Sequence, residues 1–293
     1  EAARSVSINV FPGFVSTEDI REIKSILAAF CVKGTVMPDY SDSLDGESWA
    51  EYRSLPEGGT PLEAIPAMAQ AAGSLQLGSA IPSGRDAAAY LEREFAVPVE
   101  RCGLPIGIDA TDRFMDAITR LTGTKTPREI LRQRGRLVDA YVDGHKYLFG
   151  KRAIVYGDED FAVALAGFLS EIGVIPALVV TGASSARFRE RVAAACRETR
   201  ELVIAMEDSD FASALDVARE AKPDLAIGNS KGLYVTRDLG IPLVRCGFPI
   251  HDRMGSQRVL HLGYRGTTGL FDQVCNALMR ESQDRAKSGY TYI

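Results

Sequence analysis

The chain is 293 residues long, 46% hydrophobic and 25% charged, with a formal net charge of -5. That length suits two domains with a sizeable buried core. The acidic balance argues against a nucleic-acid binder, which needs clustered Lys and Arg, and no apolar run reaches the roughly 20 residues of a membrane span.

No leader with a basic start and an apolar stretch opens the chain. It begins at Glu1 without Met, and SVSINVF is already strand-like, which suggests a partial or trimmed chain. The five cysteines, Cys31, Cys102, Cys196, Cys246 and Cys275, are scattered and form no CxxC pair. An odd, dispersed set fits small buried hydrophobes in a reducing cytoplasm better than a disulfide framework.

Strand and helix signals alternate from the start. SINVFPG is a strand running into a turn, and STEDIREIKSILAAF is a helix with Ser16 or Thr17 as N-cap. Ile20, Ile23, Ile26, Leu27 and Phe30 share one face of that helix. GTVMPD is a strand, PLEAIPAMAQAA a helix, SLQLG a strand, GRDAAAYLEREF a helix and PVERCGLPIG a strand. Two long helical patterns follow, at 110–121 and 127–149, the second with Thr126 as N-cap, Pro127 at its first position and Gly150 as a stop. The alternation then restarts with KRAIVYGD and continues through VIPALVVTG, ELVIAMED, PDLAIGNS and IPLVRCGFP, with helices between them and TGLFDQVCNALMR as the last helix.

Val/Ile/Leu-rich strands joined by helical crossovers imply an α/β fold with parallel sheets. The expected architecture is two Rossmann-like parallel-sheet domains with flanking helices. Residues 1–125 form the first, 126–149 a connecting helix, and 150–293 the second with its C-terminal helix. Ligands in such sheets bind beyond the carboxyl ends of the strands. That rule draws attention to the strand ends of the second domain.

The stretch DLAIGNSKGLYV carries a G-x-S-x-G pattern at Gly228, Asn229, Ser230, Lys231 and Gly232. A strand before it and a helix after it match the serine-hydrolase elbow, and Asp252 and His261 follow in the right order. Only about 60 residues remain after Ser230, with one clear strand among them, and no HGGG-like oxyanion segment precedes it. A plain strand-to-helix turn is the stronger reading. Lys231 and the backbone amides there could also meet an anion. Neither G-x-x-x-x-G-K-[ST] nor G-x-G-x-x-G occurs, which argues against a self-contained nucleotide enzyme. His145, His251 and His261 form no metal-ligand spacing. The segment after IPLV places Arg245, Phe248, His251, Asp252 and Arg253 at a strand end as candidate rim or interface residues.

The blocks PGFVSTEDIREIKSIL, PDYSDSLDG, GGTPLEAI, RGRLVDAYVDGHKYLFGKRAIVYGDEDFAVALAGFLSEIG, PDLAIGNSKG and IPLVRCGFPIHDR...LGYRG occur in that order. Together they resemble the beta-type half of nitrogenase component 1, from about Ile8 to Met279. The resemblance implies a subunit of three Rossmann-like domains, paired with a homologous alpha-type subunit into a heterotetramer. It implies an iron–sulfur cluster shared between the halves, held mostly by cysteines of a first domain that this sequence lacks. An ATP-dependent iron protein is the implied electron donor. The cofactor-bearing sister has a Cys ligand in the segment corresponding to SLQLGSA and a His near the position of Phe248. Neither ligand type is present here, so the resemblance implies no catalytic, cofactor or metal residue in this chain. Nitrogen fixation is the expected process, in the cytoplasm, with neither membrane nor nucleic acid as a partner. Two alternatives remain open at this point: a two-lobed small-molecule-binding module, and a serine hydrolase at GNSKG.

Overall fold

A computed structural model describes residues 6–54 and 57–286. The chain divides into two compact units, Glu1–Gly135 with Gln257–Gly266, and Arg136–Ser256 with Thr267–Ile293.

In the first unit, β1 (Ser7–Phe11), α1 (Thr17–Ala29), β2 (Lys33–Val36), the single turns α2 (Ser41–Leu44) and α3 (Ala64–Ala67), β3 (Gly73–Leu77), α4 (Ala87–Phe95), β4 (Val99–Cys102) and α5 (Ile108–Thr122) follow in order, and α6 (Arg128–Leu148) begins. The sheet order is β2-β1-β3-β4, parallel throughout. Ile8, Val10, Leu75 and Leu77 are buried from the strands; Ile20, Ile23, Ile26 and Leu27 come from α1, and Phe114 and Ile118 from α5. Each fully buried side chain of this size contributes roughly 1.5–3 kcal/mol. The expected helix PLEAIPAMAQAA is only α3 and a 3-10 turn at Met68–Gln70. Pro66 lies inside α3, and a proline has no N–H to continue the helical ladder.

Ser16 caps α1. Its hydroxyl accepts from the Asp19 amide, and the Asp19 carboxylate accepts from the Ser16 amide, closing a capping box. That carboxylate does more than cap. Oδ1 accepts from the amides of His261 (2.6 Å) and Leu262 (3.0 Å), and Oδ2 lies 2.8 Å from His261 Nδ1. Facing a carboxylate, Nδ1 carries the proton. Ser16 Oγ donates to Val259 O, Thr17 Oγ1 to Gln257 O, and Arg265 pairs with Glu22. Segment Gln257–Gly266 is therefore a strap held on α1 by buried polar contacts. Burial pushes the Asp19 pKa up, but the His261 charge and hydrogen bonds from His261 and Ser16 outweigh it, leaving the carboxyl below its usual value.

A depressed carboxyl stabilises the fold at pH values above its unfolded pKa of about 4 and loses that contribution as pH falls through the folded value. Urea midpoints measured below about pH 4 are expected to fall steeply in the parent and less so in Asp19→Asn.

The second unit holds the rest of α6, then β5 (Arg152–Tyr156), α7 (Glu159–Glu171), β6 (Ile175–Val180), α8 (Phe188–Ala195), β7 (Ile204–Met206), α9 (Phe211–Ala221), β8 (Leu225–Gly228), α10 (Leu233–Leu239) and β9 (Leu243–Arg245). α11 (Gly263–Arg285) supplies its part from Thr267 on. All pairs are parallel, in the order β7-β6-β5-β8-β9. α6 packs closely on α11 at Gly144, where a Cβ would lie 2.4 Å from the Phe271 ring.

The units differ from the expected boundaries of 125, 149 and 293 in two respects. The long helix is shared between them at Gly135, and the strap belongs to the first unit because its polar groups are satisfied by α1. Among the described residues no helix is long and apolar enough to cross a membrane.

Candidate functional site

The chain order of the second sheet reverses at β5, which pairs with β6 on one side and β8 on the other. The carboxyl ends of β5 and β8 thus flank the topological switch point, where ligands of open α/β sheets sit. Tyr156 ends β5 and stands opposite Gly228, the end of β8.

Tyr156 explains both glycines of the G-x-S-x-G pattern. A Cβ at Gly228 would lie 2.4 Å from Tyr156 O, and one at Gly232 would lie 2.3 Å from both Cζ and the hydroxyl of the same ring. Only a residue without a side chain permits that approach. The phenol donates to Asn229 O (2.8 Å), and Phe211 meets the ring edge-on at 5.1 Å. Burial pushes the phenol pKa up, so Tyr156 stays neutral.

Asn229 and Ser230 tie this turn to the loop after β9. Asn229 Nδ2 donates to Phe248 O (3.0 Å), and its Oδ1 accepts from the Lys231 amide (3.0 Å). Ser230 Oγ donates to Pro249 O (3.0 Å) and accepts from the His251 amide (3.1 Å). The Ser230 amide also donates to Pro249 O. Arg245 clamps Asp252 in a fork, with Nε 2.9 and 3.0 Å from the two carboxylate oxygens and one terminal nitrogen at 2.6 Å. Those hydrogen bonds hold the Asp252 carboxyl below its usual range. The Phe248 ring packs edge-on to Phe161 at 6.1 Å. Lys231, His251 and Arg253 are exposed, and Arg253 donates to Asp252 O.

Gly228, Asn229, Ser230, Arg245, Phe248, His251 and Asp252 therefore belong to one cross-braced pair of loops, while Lys231 is exposed and the exposed Arg253 folds back on Asp252. The hydrolase alternative does not survive this geometry. Ser230 Oγ is spent on backbone groups, Asp252 belongs to Arg245, and His261 is buried against Asp19 in the first unit. Ser230→Ala is expected to cost about 1 kcal/mol, the net value of a hydrogen bond, read as a small drop in thermal midpoint. An ester substrate assay is expected to show no activity that depends on Ser230.

Sequence reading missed Tyr156, while the acids of the α7 entry were legible. Asp158 caps α7, and burial followed by repulsion from Asp160 pushes its pKa up. Buried Glu159 accepts from Ser185 Oγ, and Arg191 bridges Glu159 and Asp160. The run of acids in YGDEDF is the available signal: acids at a helix start suit the dipole.

Among the described residues no three His, Cys, Asp or Glu side chains converge on a possible metal position. Cys196, Cys246 and Cys275 are buried, Cys102 half-buried and Cys31 exposed. Burial pushes the thiols of Cys102 and Cys275 up to about 11 and that of Cys196 to about 12.

Two parallel, doubly wound sheets with their polar turns at the strand carboxyl ends define a Rossmann-like α/β protein. Residues 1–279 match the family described as nitrogenase component 1 type oxidoreductase, and the chain belongs to that family. It is 37% identical over 279 residues to the nitrogenase molybdenum-iron protein beta chain of Clostridium pasteurianum, covering 94% of this chain and 60% of that one. Identity to the nitrogenase iron-iron protein beta chain of Rhodobacter capsulatus is 30%, over 95% of this chain and 61% of that one. A solved structure described as "Nitrogenase Cp1 at pH 6.5" superposes with a TM-score of 0.92 at 34% identity, over 99% of this chain and 64% of its own. The chain thus spans about 60% of the length of these curated relatives.

Proposed function

We propose that the chain is part of the beta-type, non-cofactor-bearing subunit of a nitrogenase-type iron–sulfur reductase, with nitrogen fixation as its process. It pairs with a homologous alpha-type subunit in a heterotetramer and shares an iron–sulfur cluster with it. An ATP-dependent iron protein supplies the electrons, and the complex works in the cytoplasm. The observation that carries this reading is Phe248. The resemblance implies that it stands near the place of the sister subunit's His ligand, and its ring is packed on Phe161; a phenyl ring has no lone pair for iron or molybdenum. The Arg245–Asp252 fork and the Asn229–Ser230 braces fix the loop on which Phe248 sits. The chain's role is thus structural support for metal chemistry held elsewhere, and no step of the reaction passes through its own side chains.

The test is anaerobic co-expression of the full-length gene product with the homologous alpha-type subunit. The expected result is an iron-containing hetero-oligomer that reduces dinitrogen when given the iron protein and ATP. A chain that purifies without partner or iron, and binds a small metabolite with micromolar affinity, would favour the two-lobed binding module instead.

A further inference from the structure

The net charge of the chain is not spread over it. Residues 42–63 contain six carboxylates (Asp42, Asp45, Glu47, Glu51, Glu57, Glu63) and one cation, Arg53, a net of -5. The whole chain is also -5, so every other charge is balanced outside this segment. The same segment carries the chain's single tryptophan, Trp49.

Among the described residues the loop is tied at its base. Gly46 and Gly58 both press against Asp42, with Cβ positions 2.3 Å from Asp42 O and 2.8 Å from its Cβ. Thr60 Oγ1 donates to Val36 O and accepts from the Asp39 amide, anchoring the exit. Asp42 and Asp45 pair with Arg21, and Glu57 with Arg53, whereas Glu47, Glu51 and Glu63 are exposed. Trp49 is 46% exposed, Tyr52 89% and Leu62 81%. Trp49 and Tyr52 line a cleft of about 760 Å³ with Asp42, Glu47, Glu51 and Glu57.

Exposed acids alone are ordinary. Exposed Trp and Tyr on a long loop are the side chains that dominate protein interfaces, and such loops tend to be functional. We infer that this loop is a docking surface for a protein partner with a basic face, whose Lys and Arg side chains meet Glu47, Glu51 and Glu57 while Trp49 and Tyr52 are covered by its stems and apolar groups. Charge decides the occupant. Nucleic acid and anionic membrane are repelled, and a second copy of this chain offers the same acids and an otherwise balanced surface. The inference is independent of the proposed function.

Because Trp49 is the only tryptophan, its emission reports directly on the site. The experiment titrates the full chain with a short amphipathic Lys/Leu peptide and with its Glu/Leu counterpart, following emission and heat. The expected result is saturable binding of the Lys/Leu peptide alone, with a shift in Trp49 emission. E47Q/E51Q/E57Q should weaken it about tenfold, from three exposed ion pairs. W49A, followed by heat, should weaken it about thirtyfold, as for an interface anchor. Circular dichroism checks that both variants stay folded. Absence of an emission change, or binding that responds to the acid substitutions but not to W49A, would overturn the inference, the second outcome being simple ion exchange.

Discussion

Asp19→Ala is expected to destabilise the first unit by about 3 kcal/mol or more, since each buried donor left without an acceptor costs about 1–3 kcal/mol. Asp19 is fully buried and receives four hydrogen bonds, from the amides of Ser16, His261 and Leu262 and from the His261 ring. An alanine there leaves all four donors without an acceptor, in a site closed to water. Asp19→Asn keeps one acceptor oxygen and nearly the same shape, so its cost should be smaller. A protein of two units need not unfold in one step, so the decisive reading is local. Hydrogen exchange at the amides of His261 and Leu262 should accelerate with the global loss of stability in Asp19→Ala. Exchange in β5 and β8 should change far less.

Gly228→Ala has the second-largest expected effect, about 1–3 kcal/mol from overpacking. The new Cβ would meet the carbonyl oxygen of Tyr156 at 2.4 Å, and that oxygen is backbone in the neighbouring strand, with little freedom to move. That Cβ would also meet the Tyr156 ring, at 2.7 and 2.8 Å, whereas a Cβ at Gly232 meets the ring and its hydroxyl without the carbonyl. The two substitutions therefore separate in a double-mutant cycle. Tyr156→Leu should relieve much of the Gly232→Ala cost but only part of the Gly228→Ala cost, because the backbone oxygen stays in place, as read from urea unfolding. Equal relief of both would contradict the packing account of the two glycines.

Local signals in the sequence led to most of the fold. Apolar spacing located α1, narrowed its cap to Ser16 or Thr17, of which Ser16 is the one found, and marked Gly150 as the stop after α6, where φ is +76°. Alternation of Val/Ile/Leu strands with helices implied parallel sheets, as found. What stayed illegible depends on contacts between distant residues. His261 follows Ser230 at a spacing that invites a triad, yet its partner is Asp19, 242 positions away. The strap around it reads as a loop of the second domain because nothing local reveals that α1 satisfies its amides. The glycines of GNSKG were visible as a turn, but the reason for them, the Tyr156 ring, lies in another strand. What pattern could not offer came from resemblance, which implies a place for Phe248 near a ligand position of a sister subunit.

In the proposed function this chain shapes a metal centre without ligating it. The most direct measurement is iron per heterodimer in the anaerobically purified full-length complex, after Ala replacement of Cys31, Cys102, Cys196, Cys246 and Cys275 one at a time. Unchanged iron and an unchanged cluster spectrum in all five variants is the expected result. Stoichiometric loss of iron from any folded, still-assembled variant would contradict the account.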